Sequence, residues 1–265
     1  MRRLGLGSYA CAWQLNAGCM DAAGLIRRAQ ELGLHVVQIA DNIPLHQADS
    51  KQISVIRDVA DRAGIELELG LRGLSERKIE EYIQLCGACN SRTLRAVIDA
   101  PGYEPPPAEV VRVVRAIVPR LRDAGVTLAL ENHDRFRARV LSAIISEIAD
   151  AHVGICLDTA NSFGALEGPE QIVETLGPQT VSLHIKDFIV VREPHQMGFR
   201  ISGAPAGKGM LDVRCLLERL GSLGATGTVI LELWPPPEST LEETAAKEKR
   251  WCEESIRYLR TLIAD

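Results

Sequence analysis

Short apolar runs alternate along the chain with longer stretches in which apolar residues recur every three to four positions. The short runs are rich in β-branched residues and end abruptly in polar ones, the pattern of buried strands. Eight are legible: "RLGLGSY" (3–9), "HVVQIAD" (35–41), "IELELGL" (65–71), "TLRAVID" (93–99), "VTLALEN" (126–132), "VGICLDT" (153–159), "VSLHIKD" (181–187) and "TVILELW" (228–234). Between them, "AAGLIRRAQELG" sets Leu25, Ala29 and Leu32 at helical spacing, and "PPAEVVRVVRAIVPRLRDAG" does the same with Val110, Val113, Val114 and Ile117. Ser75 is the expected N-cap of a helix through "SERKIEEYIQLCGA", with Lys78 where a full capping box needs Glu or Gln. Pro119 falls late in its helix and is expected to kink it.

A weak internal repeat supports the alternation. "ELGLHVVQI", "RAGIELEL" and "DAGVTLAL" each close a helix with glycine and enter a strand within one or two residues. Eight strand–helix units with right-handed crossovers close most simply into a barrel. The expected fold is therefore α/β, a (β/α)8 TIM barrel, as one domain over residues 1–265. An open doubly wound sheet calls for a glycine fingerprint after the first strand. "GLGSYA" lacks its third glycine and the immediate helix.

Composition narrows the class. The 265 residues are 46% hydrophobic and 25% charged, the profile of a soluble globular chain of ordinary length for one barrel. A net charge of −5 argues against nucleic acid as a bulk partner, because phosphate neutralisation needs a basic surface. The seven cysteines are odd in number and without framework spacing, so reduced thiols in a cytoplasmic protein are expected. Cys86-Gly-Ala-Cys89 has no second pair to complete a zinc site and reads as two small residues on a helix face. The opening "MRRLGLGSYACAWQL" is broken by Gly5, Gly7, Ser8 and Gln14, too weak for a signal peptide. No run approaches the ~20 apolar residues of a membrane span, so no membrane partner is expected.

The chemistry gathers at strand ends. Strand five ends in "LALEN" with Glu131 and strand six in "ICLDT" with Asp158; strand seven contains "LHIKD" with His184 and strand eight "ILELW" with Glu232. Singly, each residue has a structural reading: Asp158 as a helix cap, His184 as a satisfied core residue, the two glutamates as partners of a nearby arginine. Together, at successive strand ends, they ring one mouth of a barrel. Carboxylates buried without partners are costly, and one divalent cation satisfies all four groups. Three carboxylates and one imidazole form a hard, oxygen-rich set, which favours one manganese ion, with magnesium or cobalt as alternatives.

The pattern "ALEN…CLDTAN…HIKD…ILELW" resembles the sugar isomerase/epimerase superfamily with xylose-isomerase-like barrels, over nearly the whole chain. That resemblance implies that Glu131, Asp158, His184 and Glu232 bind one divalent metal, and that Glu131 and Glu232 double as the catalytic proton-transfer pair. It implies a divalent-metal-dependent isomerase or epimerase of a small sugar or sugar-acid derivative, acting through a metal-stabilised enediolate. The same residues are compatible with a lyase, a decarboxylase or dehydratase of a 3-oxo sugar acid. "MGFRISGAPAGKGMLDV" followed by "ELWPPP" looks like a subgroup that decarboxylates such acids. Relatives of this kind form dimers and tetramers, so a homo-oligomer is expected, with no interface legible in the chain. Endonuclease IV, a distant relative, carries many more histidine ligands for three zinc ions, and this chain has six histidines in all.

Two departures bear on substrate. Where the epimerases carry histidine three residues after the metal aspartate, this chain has Asn161, which cannot carry a proton at neutral pH. Where they carry a substrate-binding arginine after the metal histidine, it has Val190, with Arg192 close by. The connection after strand seven, 188–210, reads as a long active-site loop rich in glycine and proline. Its Arg192, His195, Arg200 and Lys208 are candidates for binding a substrate carboxylate or phosphate, or are simply solvated. "GAPAGKGM" is not a Walker loop; its glycines let the backbone approach substrate or a neighbouring loop. Trp13 and Trp234 either stack on a sugar or cap the core, Asp41, Asn42 and Arg72 are further candidates for the pocket, and His133 either orients a ligand or faces solvent.

Overall fold

All eight apolar runs become strands that pair in parallel and close on themselves. The computed structural model describes residues 3–263. Its barrel consists of β1 (Leu4–Gly7), β2 (Val36–Ile39), β3 (Glu66–Arg72), β4 (Thr93–Val97), β5 (Thr127–Glu131), β6 (Val153–Asp158), β7 (Thr180–Ile185) and β10 (Thr228–Leu231). Gly5 pairs with Val36 on one side and Ile230 on the other, which closes the ring. The circle is closed, with one register shift at Ile155/Cys156 between β6 and β7, so the expected (β/α)8 barrel is the observed one.

The helices pack outside. Ordered along the chain, they are α1 (Ala12–Asn16), α2 (Ala22–Glu31), α3 (Ser50–Ala63), α4 (Glu76–Cys89), α5 (Pro107–Ala124), α6 (Ala138–Ile148), α7 (Pro169–Leu176), α8 (Val213–Ser222) and α9 (Leu241–Leu259). The helix-ending glycines of the repeat, Gly33, Gly64 and Gly125, take φ of 66°, 66° and 63°. Ser75 caps α4 by accepting the Lys78 N–H. The helix expected to kink, α5, continues through Pro119 to Ala124, with Val114, Ile117, Val118 and Leu121 buried around the proline. Cys86 and Cys89 lie on the buried face of α4, and burial pushes the Cys86 thiol up to about 12. Among the described residues no helix is long and apolar enough to cross a membrane.

One element differs from expectation. The connection over 188–210 is not a structureless loop. It contains an antiparallel ribbon, β8 (Asp187–Arg192) paired with β9 (Phe199–Ala204). The alternating "DFIVVR" and "FRISGA" satisfy each other's backbone groups, and apart from Gly203 in β9 the glycines and prolines that suggested a loop fall at the tip and beyond β9.

Candidate active site

Strand period explains which side chains enter the barrel. Successive residues point to opposite faces, so Gly154, Cys156 and Asp158 of β6 share one face, as do Ser182, His184 and Lys186 around the end of β7, and Thr228, Ile230 and Glu232 around β10. Register then brings neighbours level: Asp158 pairs with His184, and Glu131 with Cys156. Glu232 follows directly on β10, its N–H donating to Ile185 O at 3.1 Å. Glu131, Asp158, His184 and Glu232 thus converge at the C-terminal mouth, all buried.

His184 Nδ1 lies 3.3 Å from Glu232 Oε1, 3.7 Å from Asp158 Oδ2 and 3.9 Å from Glu131 Oε2. Ligand atoms of Asp158, His184 and Glu232 all lie within 4.8 Å of one another. Asp158 Oδ2, both ring nitrogens of His184 and both oxygens of Glu232 take part in no hydrogen bond. Buried polar atoms are normally paired, so unpartnered atoms on Asp158, His184 and Glu232, one from each close enough to share a ligand, call for a common partner. The donor set fits a divalent cation. A second grouping, Glu131, Cys156 and His184, shares the imidazole, and burial raises the pKa of its thiol.

Asp158 uses its two oxygens differently. Oδ1 accepts the N–H groups of Ala160 and Asn161 at 2.8 and 2.9 Å and so caps the short turn after β6. Oδ2 faces the cluster. The capping and the ligand readings of this residue are therefore both met, one by each oxygen.

Two cations that sequence reasoning passed over complete the site. Lys186 Nζ lies 2.9 Å from Asp158 Oδ2 and 2.9 Å from Glu232 Oε2, at ion-pair distance, and donates to Asn161 Oδ1 at 3.3 Å. Burial opposes its charge, but Asp158 and Glu232 outweigh burial and raise its pKa. Burial likewise works against the Asp158 anion, and Lys186 and His184 nevertheless hold it below the usual carboxylate range. Arg95, fully buried on β4, donates through Nε to Glu131 Oε2 and through Nη1 to Asp41 Oδ1 at 2.5 Å. Asp41 also accepts Arg72 Nε at 2.9 Å and the Tyr9 hydroxyl at 3.1 Å. Against the cost of burial, Arg95 and Arg72 bring its carboxyl down to about 2. The signals were present: Lys186 is two residues past His184 and must share its face, and an arginine inside the apolar run "TLRAV" needs a buried anion.

The expected substrate-binding residues separate into two groups. Asn161 is inside the site: its Nδ2 donates to Glu131 Oε1 at 2.7 Å. Arg72 joins the Asp41–Arg95–Glu131 chain. Trp13 is structural, with Nε1 donating to Pro235 O at 3.1 Å and its backbone N–H to Glu248 at 2.9 Å. The structure does not bring Arg192, His195 or Lys208 to the cluster. Arg192 donates to Gln196 O at the ribbon tip, where His195 also sits exposed, and the Lys208 side chain is in solvent. They were placed at the mouth because 188–210 read as a loop; in the structure Arg192 and His195 sit at the exposed end of the β8–β9 ribbon and Lys208 in the turn beyond it. His133 contacts Asp134 at 2.6 Å, Asn42 accepts the Ser8 hydroxyl at 2.5 Å, and Trp234 Nε1 donates to Asp187 O at 3.1 Å.

The glycine-rich segment after β9 has its own explanation. Asp187 Oδ2 accepts the N–H groups of Gly207 and Gly209 at 2.8 and 3.0 Å, and Oδ1 those of Phe188 and Leu211 at 2.7 and 3.0 Å. A Cβ on Gly209 would overlap Asp187 Oδ1, and Gly207 has φ of 80°. The glycines let the backbone wrap this buried carboxylate, next to Lys186 in sequence.

Residues 26–262 match the family described as xylose isomerase-like TIM barrel. The chain belongs to that family. It is 30% identical over 261 residues to a 3-oxo-isoapionate decarboxylase of Pectobacterium atrosepticum, covering 97% of this chain and 95% of that protein. Among solved structures it resembles a D-psicose 3-epimerase with D-tagatose from Clostridium cellulolyticum H10, with TM-score 0.76, 17% identity and coverage of 98% and 99%. It also resembles a xylose isomerase-like TIM barrel protein from Mycobacterium smegmatis in complex with magnesium, with TM-score 0.72, 16% identity and coverage of 98% of each chain. These structural likenesses speak for the fold; the decarboxylase and the epimerase are named as enzymes.

Proposed function

We propose that this member of the family is a divalent-metal-dependent lyase that decarboxylates a 3-oxo sugar acid. The observation that carries the reading is an asymmetry between the two glutamates. Both oxygens of Glu131 are engaged, one by Arg95 and one by Asn161. Those of Glu232 accept no hydrogen bond and stand only at ion-pair distance from Lys186 and His184. Epimerisation needs a working base on each face of the carbon. Decarboxylation returns one proton to one carbon and needs a single such group. The full-length relative named for 3-oxo-isoapionate supports the same reading.

Glu131, Asp158, His184 and Glu232 would hold the cation, whose chemistry when bound is Lewis acidity toward carbonyl and hydroxyl oxygens. The residues divide the remaining work. As the bond between C1 and C2 of the substrate breaks, its electron pair moves toward the 3-oxo oxygen and carbon dioxide departs. Lys186 supplies a fixed positive charge and N–H donors for the developing negative charge. Asn161 offers its amide to a substrate hydroxyl. Glu232 passes a proton from water to C2. Arg95 and Asp41 keep Glu131 in one orientation.

A second reading, isomerisation or epimerisation, is favoured by the retention of both glutamates at the mouth. The test separates the two. The purified protein is incubated with manganese and a panel of 3-oxo sugar acids and keto sugars in deuterated water. The lyase reading expects carbon dioxide release from an acid. The isomerase reading expects recovered product of unchanged carbon count carrying solvent deuterium. Neither outcome with any panel member contradicts both.

A further inference from the structure

One cation takes one nitrogen of an imidazole. His184 turns Nδ1 toward Glu232, Asp158 and Glu131, at 3.3, 3.7 and 3.9 Å. Nε2 lies on the other side of the ring, buried, and meets no hydrogen-bond partner among the described residues. A metal-binding histidine normally donates its second N–H to a fixed acceptor, which sets the tautomer and holds the ring in place. Cys156 Sγ is close to the imidazole without bonding Nε2, and a thiol is a weak acceptor.

The layer of the barrel beneath His184 carries the groups that fit. Ser182 precedes His184 by two residues and shares its inward face. Its register partner on β10 is Thr228, whose hydroxyl donates across the barrel to Glu68 Oε1 at 2.7 Å. Gln38 Nε2 donates to Glu68 Oε2 at 3.0 Å, which leaves Gln38 Oε1 buried and unpartnered. Ser182 Oγ is buried and unpartnered as well. Burial raises the Glu68 pKa, and the charge of His184 is among the groups opposing that rise, so carboxyl and imidazole share one compartment. Same-face neighbours on a strand stand roughly 6–7 Å apart, too far for Ser182 to reach Nε2 directly but within the span of one bridging water. A buried water makes about three hydrogen bonds. Nε2, Ser182 Oγ and Gln38 Oε1 offer that number, one nitrogen donor and two oxygens. We propose that one buried water, held by Ser182 and Gln38, takes the Nε2 proton of His184. Ser182, Gln38 and Glu68 are then positioning residues, which keep Nδ1 aimed at the ligand cluster. The positioning role rests on the metal reading of that cluster; the water site does not.

A high-resolution crystal structure of the full chain, together with manganese affinity by isothermal titration calorimetry, tests this. The structure is expected to show one ordered water within hydrogen-bond distance of Nε2, Ser182 Oγ and Gln38 Oε1. Ser182→Ala and Gln38→Met should each weaken manganese binding by about 10- to 100-fold. Ile230→Val is the control: it removes a methyl group beside His184, its register partner, and no hydrogen bond, so it should bind manganese as wild type does. Nε2 resting against Cys156 Sγ or another protein atom, with no water between, overturns the proposal. So does a Ser182→Ala protein with wild-type affinity, or an Ile230→Val protein that loses as much as Ser182→Ala. A wild type that holds the water yet takes up no manganese supports the water site and contradicts the metal reading on which the positioning role rests.

Discussion

Lys186 Nζ stands 2.9 Å from Asp158 Oδ2, one strand over and on the face that also carries His184. This contact places a permanent positive charge inside the ring of candidate metal ligands. Removing one partner of a buried ion pair leaves the other charge uncompensated, at a cost of roughly 3–5 kcal/mol. Lys186→Met should therefore lower stability by about that amount in divalent-free buffer. Manganese should raise its thermal midpoint more than that of wild type, since the cation then replaces the counter-charge that Lys186 gave Asp158 and Glu232. Scanning calorimetry with and without the ion reads both effects; equal responses would remove Lys186 from the site's electrostatics.

Arg95 is the second buried cation, with Glu131 on one side and Asp41 on the other. Arg95→Met leaves Glu131 without its arginine and Asp41 with Arg72 alone, and is expected to cost roughly 3–5 kcal/mol in urea denaturation. Adding Asp41→Asn removes one of these charges and should recover part of the loss, a coupling that a double-mutant cycle measures.

For Asp187 the expectation concerns the ribbon rather than the barrel. Its carboxylate gathers four backbone N–H groups from Phe188, Gly207, Gly209 and Leu211. Asp187→Ala deprives all four of their acceptor. Amide hydrogen exchange should accelerate at Gly207, Gly209 and Leu211 while the strands β4 to β6 keep their protection. Uniform acceleration across the barrel would show that Asp187 supports the whole fold instead.

Deep in the barrel, Glu68 accepts Gln38 Nε2 at 3.0 Å and the Thr228 hydroxyl at 2.7 Å. Burial raises its pKa, and those two hydrogen bonds only partly offset the rise. With the folded pKa above the unfolded value of about 4.3, proton uptake favours the native state at low pH, and that contribution is lost as pH climbs toward the folded pKa. Glu68→Gln does not titrate. Its thermal midpoint relative to wild type should thus increase between about pH 4 and pH 8. A pH-independent difference would place the Glu68 pKa at its ordinary value.

The barrel was legible because its strands are short, apolar and evenly spaced, and because Gly33, Gly64 and Gly125 mark helix ends. Glu131, Asp158, His184 and Glu232 were legible for the same reason, each sitting where an apolar run stops. Lys186 and Arg95 escaped although their signals were present, because a long cationic side chain is usually solvated and turns inward visibly only when read in phase with His184 or within the apolar run "TLRAV". Arg192, His195 and Lys208 were drawn toward the mouth by reading 188–210 as a loop. Pairing between Arg192 and Phe199 depends on a contact across the tip that glycine and proline content conceals.

The central claim is that Glu131, Asp158, His184 and Glu232 hold one divalent cation. Elemental mass spectrometry of the purified protein and of Asp158→Asn, both reconstituted with manganese and desalted, tests it most directly. The account predicts about one ion per chain in wild type and its loss in the variant, because Asp158 Oδ2 is one of the donor atoms facing the cluster. Wild type without bound metal after reconstitution would contradict it and return the four residues to structural roles.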